Sequence, residues 1–235
     1  MSKSILITGA SKGIGSATAE QFFYADNDVT DFVLLARQSE EFDKLISRLS
    51  DDNPYGKRVH PHFIDLADRA RIVGLMRDVM AETGKIDYLV NNAGYTAPCA
   101  LQQIEFADFE RTIGVNLYAP FTIVQELLHC GNTFELVVNI ASTAGMGGRP
   151  GWLTYGASKA AVINMSEAMK EELSIYGTRV VCISPGRCAT DLRRKLAPDE
   201  DPSTIMQPEQ VASVIDMLSS EVGTLIDSQN LVVRQ

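Results

Sequence analysis

The feature that most constrains this chain is its rhythm, in which strand-length apolar runs alternate with helix-length amphipathic segments from end to end. Candidate strands are 3–8 (KSILIT), 31–36 (DFVLLA), 58–64 (RVHPHFI), 86–90 (IDYLV), 134–140 (FELVVNI), 179–184 (RVVCIS) and 230–234 (NLVVR). Segments 14–25, 40–50, 67–83, 102–130, 155–176 and 208–220 read as helical. Such alternation predicts parallel strands joined by crossover helices on both faces of the sheet. Runs such as FVLLA and LVVNI lack a polar side, as strands covered on both faces must.

No Pro/Gly/Ser-rich linker, internal repeat or low-complexity tract interrupts the rhythm. Splitting the chain would leave an open sheet edge. The expectation is therefore a single α/β domain over 1–235, of doubly wound Rossmann type, with a seven-stranded parallel sheet flanked by helices on both faces. Its most irregular region is 186–208, after Pro185, with Pro198, Pro202, Pro208 and the acidic PDEDP stretch. A loop of that length in a compact domain is expected to be a substrate lid.

Charge and cysteine usage exclude some classes. With 21 basic and 30 acidic side chains, a formal charge of −9, general attraction to nucleic acid or anionic membrane is not expected. No run approaches the roughly 18 apolar residues of a membrane span, and the opening MSKSILITGASKG does not read as a signal peptide. Cys99, Cys130, Cys182 and Cys188 are scattered without a CxxC pair, which reads as free thiols in a reducing compartment, the cytoplasm.

TGASKGIG, Thr8 to Gly15, follows the first strand and opens the first helix. Gly9 and Gly13 permit a tight turn, and Gly13 and Gly15 let backbone approach a pyrophosphate at the helix N-terminus. Ser11, Lys12 and Ile14 belong to the same turn. An acidic residue after the second strand would bind an adenosine 2′-hydroxyl, but that strand ends LLAR, with Arg37 in its place. Arg37 and Lys12 are two cations able to face a 2′-phosphate. They favour NADP(H) over NAD(H).

YGASK places Tyr155 and Lys159 at i and i+4, on one helical face. A cation about 4 Å from a phenolate gains roughly 4 kcal/mol at an effective dielectric near 20. That is on the order of three pKa units, enough to bring a phenol near neutrality. Ser142 ends NIAS just past an apolar strand, where open α/β sheets place their active crevice. Asn116, in GVN, is a polar amide inside a helical segment with little local justification.

The spacing GxxxGxG, together with NNAG, the Asn–Ser–Tyr–Lys order and SPGRCAT, resembles the short-chain dehydrogenase/reductase family over residues 3 to about 220. The resemblance implies an oxidoreductase interconverting a carbonyl and an alcohol. Tyr155 is then general acid/base, Lys159 lowers its pKa and binds the nicotinamide ribose, Ser142 polarises the carbonyl, and Asn116 supports a water-linked proton path to Lys159. It also implies that Asp65 and Leu66 bind adenine, and that Asn91, Ala93 and Gly94 shape the ribose site. Pro185 and Gly186 turn the chain over the nicotinamide, and Cys188 backbone and the Thr190 hydroxyl hold its carboxamide. The apolar faces of 102–130 and 155–176 are that family's association surfaces, so a homodimer or homotetramer is expected. The tail departs from the pattern, ending IDSQNLVVRQ without a glycine-rich segment. An enoyl reductase would separate Tyr and Lys by six residues. A rival outside enzymes is a non-catalytic NADP-sensing protein on the same fold.

GRCATDLRRK gathers Arg187, Arg193, Arg194 and Lys195 just after the PG turn. They form either a solvated helix face balanced by the following DED or a set closing on an anionic substrate group. Arg149, in GMGGRPG, approaches the same pocket from the other rim. ASTAGMGGRPGW and SPGRCATDLRRKLAP resemble the reductase portion of enzymes that reduce ribulose 5-phosphate before cytidylyl transfer, which implies a phosphorylated substrate. Trp152 either walls that pocket or packs against a subunit. His60 and His62, on an expected central strand, lack a third ligand, so no metal is expected; Cys188 lacks a histidine to act as nucleophile.

Overall fold

The computed structural model describes residues 2–226 and 230–235; Met1 and 227–229, within the expected single domain, lie outside the described residues. Seven strands form one all-parallel sheet: β1 Lys3–Thr8, β2 Val29–Ala36, β3 Arg58–Phe63, β4 Tyr88–Asn91, β5 Leu136–Ile140, β6 Arg179–Pro185 and β7 Asn230–Val233. Their order is β3-β2-β1-β4-β5-β6-β7. The chain reverses direction across the sheet between β1 and β4, which opens a crevice at the carboxyl ends of those strands.

Helices α1 Gly13–Phe23, α2 Glu40–Asp51, α3 Arg69–Thr83, α4 Phe106–Ile113, α5 Ala119–His129, α6 Leu153–Leu173, α7 Asp191–Leu196, α8 Pro208–Ser219 and α9 Glu221–Thr224 connect them. Local chemistry sets the ends: Ser39 caps α2, Asp68 caps α3, and Gly84 closes α3 with φ 71°. The period-two alternation of the strands divides the core. Ile5 and Ile7 join Phe22, Phe23 and Leu34 on one face, while Leu6 joins Val33, Ile72 and Ile123 on the other. Each such side chain contributes roughly 1.5–3 kcal/mol by leaving water.

Two sequence expectations change. The helical reading of 102–130 resolves into a single 3₁₀ turn at 101–103, then α4 and α5 joined by a π turn over Gly114–Tyr118. β3 is an edge strand, not a central one. There His60 bonds the buried Asp31 at 3.1 Å and His62 bonds Glu82 at 3.1 Å. The two histidines thus tie an edge strand to its neighbours, and no group of metal-ligating side chains occurs among the described residues.

Candidate active site

A cleft of about 550 Å³ opens at the sheet's switch point. Ser11, Lys12, Gly13 and Ile14 line it from the turn after β1, where Gly9 and Gly13 have φ of 65° and 61°. Gly15 lies beneath that turn, and a Cβ there would stand 2.3 Å from the Gly9 carbonyl oxygen. The amino end of α1 carries neither a side-chain cap nor an acidic residue in its first turn. Its orphan N–H groups and the glycine cradle fit a dinucleotide pyrophosphate.

Further along the cleft, Arg37 lies beside Gln38 and Ser39, and Asp65, Leu66, Ala93 and Gly94 also face it. Arg37 enters no ion pair among the described residues. Lys12 does, holding Asp191 at 2.6 Å. The Asp65 carboxylate accepts from Arg111 at 2.7 Å and from the Ala67 N–H at 3.0 Å, so it is already occupied. Asn91 does not line the cleft. It is buried, donating to Asn139 Oδ1 at 2.9 Å, and its neighbour Asn92 instead braces the turn through the Thr8 and Gly9 carbonyls.

At the floor, Tyr155 and Lys159 project from α6, 5% and 3% exposed. Close packing locates α6: a Cβ on Gly145 would lie 2.6 Å from Lys159 backbone, so only glycine lets the 143–145 turn seat there. Lys159 Nζ donates to the Ile140 carbonyl at 2.7 Å and sits 5.9 Å from the Tyr155 ring centre. Ser142 accepts from the Ala144 N–H at 3.1 Å, which orients its hydroxyl at the cleft.

Burial dominates the protonation of this pair. Burial, the dominant influence, pushes the Tyr155 phenol up to about 12 against the opposing pull of Ser142 and Arg193. Burial also brings Lys159 down to about 8. One of the ammonium's three N–H groups donates to the Ile140 carbonyl, and burial is the first influence on the phenol. Desolvation outweighs the Coulomb gain here. The phenol is a proton-loaded donor at neutral pH.

Asn116, in the π turn, is 2% exposed and lies outside the cleft lining. Its amide is committed to the Tyr95 backbone, at 2.7 and 3.0 Å, and to Ser158 at 2.9 Å. A small cavity of about 10 Å³ nevertheless touches both Asn116 and Lys159, as well as Asn91, whose Oδ1 has no hydrogen-bond partner among the described residues. That is room for about one water.

The 186–208 region brings its cations together with acids. Glu200 takes Arg193 in a two-point bond at 2.5 and 2.8 Å and also holds Arg187 at 3.3 Å; Arg194 pairs with Asp191 at 3.4 Å. Arg193 lines the cleft, whereas Arg187 and Arg194 do not. Pro185, Gly186, Cys188 and Thr190 do line it. The Thr190 hydroxyl is occupied as the α7 cap, accepting from the Arg193 N–H at 3.1 Å, and the Cys188 carbonyl accepts from the Thr190 N–H at 2.8 Å. Trp152 walls the cleft, with the guanidinium groups of Arg149 and Arg193 at 4.9 and 5.5 Å from its ring.

Sequence reading missed Asn92, Tyr95, Arg111 and Asp191. Asn92 sits within NNAG, so the sequence carries a signal for it. Asp191 meets Lys12 only through the fold.

Known proteins carry the same pattern. Residues 3–201 match the family model described as short chain dehydrogenase. A 3-oxoacyl-(acyl-carrier-protein) reductase of Thermotoga maritima is 32% identical over 238 residues, spanning 97% of this chain and 94% of that protein. A putative short chain dehydrogenase of Pseudomonas syringae superposes with a TM-score of 0.86 at 27% identity, over 98% of this chain and 93% of that one. A Burkholderia cenocepacia short chain dehydrogenase solved with NADP has the same fold, with a TM-score of 0.86 at 24% identity, covering 98% and 96% of the two chains.

Proposed function

The chain belongs to the short-chain dehydrogenase family, an oxidoreductase family that uses a nicotinamide cofactor, and from that premise we propose that it interconverts a carbonyl and an alcohol using NADP(H). One observation carries this reading: the buried Tyr155 phenol and the buried Lys159 amine line the floor of the cleft together with the Ser142 hydroxyl.

The bound cofactor supplies the hydride. The chain's own residues handle the oxygen. Ser142 donates to the carbonyl oxygen and holds it at Tyr155, whose phenol gives up its proton as charge develops there. Lys159 stabilises the phenolate left behind and holds the nicotinamide ribose. Asn116 positions the single-water cavity beside Lys159, through which the proton is replaced. Gly9, Ser11, Gly13 and Ile14 hold the pyrophosphate, and Asp65, Leu66, Ala93 and Gly94 line the adenosine and ribose sites. Arg37 carries the preference for NADP(H), since it enters no ion pair among the described residues. The Burkholderia protein's NADP complex agrees with this choice.

Residues 186–208 act as a lid on what we treat as one domain. Exposed Phe106, Tyr118 and Phe121 support a homodimer or homotetramer through the faces of 102–130 and 155–176. The four free cysteines fit a reducing compartment, the cytoplasm. The substrate is a small carbonyl compound, and Arg149 on the cleft rim favours an anionic one, with a ribulose 5-phosphate-like sugar as the narrowest version. A cofactor-sensing protein without turnover would have no need for both Tyr155 and Lys159.

The test is NADPH oxidation against a panel of carbonyls, phosphorylated and not, repeated with Tyr155→Phe. The variant should lose at least about a hundredfold in kcat with NADPH affinity unchanged. A variant as active as the parent, or a parent that binds NADPH and turns over nothing, refutes the reading.

A further inference from the structure

The cations around the cleft sort by whether an acid already holds them. Arg187 and Arg193 share Glu200, Lys12 and Arg194 share Asp191, and Arg111 pairs with Asp65. Arg149 and Arg234 have no acidic partner among the described residues. Both line a second cavity, of about 320 Å³, which shares Thr143 and Arg149 with the main cleft.

The two arginines come from separate segments of the chain. Arg149 is anchored at the junction by stacking on Trp152, 4.9 Å from the ring centre. Arg234 follows β7 and lies against the turn at Gly186, where an added Cβ would stand 3.0 Å from the Arg234 Cβ. Met146 and Val232, 56% and 39% exposed, make the remaining wall apolar. Two exposed guanidinium groups without an acidic partner among the described residues thus face one concavity. Guanidinium forks suit a carboxylate or phosphate bound at two points.

We propose that this side cavity is the subsite for an acidic group of the substrate, carboxylate or phosphate, gripped by Arg149 and Arg234 while the carbonyl lies at Ser142 and Tyr155. The inference rests on the carbonyl-reduction reading for the position of the reacting end. It moves anion recognition away from the arginines of α7, which Glu200 and Asp191 have neutralised, to the opposite rim. Thr143, common to both cavities and adjacent to Ser142, marks the passage. The apolar wall suits a short hydrocarbon spacer, so the substrate is a keto acid or a phosphorylated keto compound with a few carbons between its two functional ends.

The test compares 4-oxopentanoate with its methyl ester, and dihydroxyacetone phosphate with dihydroxyacetone, in NADPH turnover and in calorimetric binding. Parent, Arg149→Gln and Arg234→Gln are measured, with Arg→Lys at each position as charge-retaining variants should either Gln variant fold poorly. At least one acidic compound should be preferred over its neutral partner by tenfold or more in kcat/KM. Each Gln variant should lose most of that preference through KM, and 0.5 M salt should erode it in the parent. Equal handling of acidic and neutral partners, no saturable binding of either anion, or a preference untouched by both variants overturns the subsite. Anion binding that is weakened by both variants but accompanied by no hydride transfer leaves the subsite standing and removes the carbonyl-reduction reading instead.

Discussion

Lys12 Nζ lies 2.6 Å from the Asp191 carboxylate, so the glycine turn that opens α1 is joined across the cleft mouth to the first residue of α7. Both side chains are about half exposed, and the pair is one contact between the cofactor cradle and the lid. Lys12 is held by an acid at the place where a phosphate would want it.

Asp191→Asn should therefore tighten NADPH binding. The gain is limited to a few-fold, because an exposed ion pair contributes only about 0–1 kcal/mol. Fluorescence titration of NADPH checks this. Weaker binding in the variant would show that Asp191 supports the cofactor site rather than competing with it.

Arg37 lines the adenosine end and enters no ion pair among the described residues. Replacing it with alanine should cost NADPH roughly tenfold or more in affinity and leave NADH nearly unchanged, since only the former carries the 2′-phosphate. The ratio of the two dissociation constants is the informative quantity. An equal loss for both cofactors would count against the NADP(H) preference.

Lys159 gives a pH signature. Its folded value of about 8 lies below the 10.5 of an unfolded lysine, so between these values the unfolded chain holds more protons. Stability attributable to this group therefore rises with pH across that window, by up to about 3 kcal/mol. Lys159→Met should be more stable than the parent below pH 8 if its packing is retained, with the advantage shrinking toward pH 10. Melting temperatures at fixed ionic strength test it, and a difference that stays constant from pH 7 to 10 would mean the buried amine is not depressed. Tyr155 works in the opposite sense, but only above its unfolded value of about 10.

Lys57 tests the fold rather than the site. Only 5% exposed, it donates to the carbonyls of Phe22 and Ala25 at 2.7 and 2.8 Å and to Asn27 Oδ1 at 2.8 Å, closing the end of α1. Lys57→Met leaves those acceptors unpaired and should destabilise the protein by about 2–4 kcal/mol, as read by urea unfolding. A loss below 1 kcal/mol would show that water replaces the ammonium freely.

The architecture was legible because its signals are local and repeated. Apolar runs of strand length, the glycine turn after the first of them and the i, i+4 spacing of Tyr155 and Lys159 depend on neighbours a few residues away. Backbone periodicity converts such patterns directly into elements and faces. The parallel sheet, its helices on both faces and the nearness of Ser142 to Tyr155 follow from them.

Partners chosen across the fold were not legible. Whether Lys12 faces a phosphate or Asp191, whether Arg193 is free or held by Glu200, and whether Asn91 points to the cofactor or to Asn139 depend on side chains remote in sequence. The charge state of Tyr155 belongs to the same class. Spacing brings an ammonium within one helical turn of it. Burial decides which way the phenol moves, and it comes into being only when β5 and α6 close on each other. The chain by itself determines which groups are available to the site; packing determines which of them are already taken, because desolvation and pairing are properties of the assembled interior.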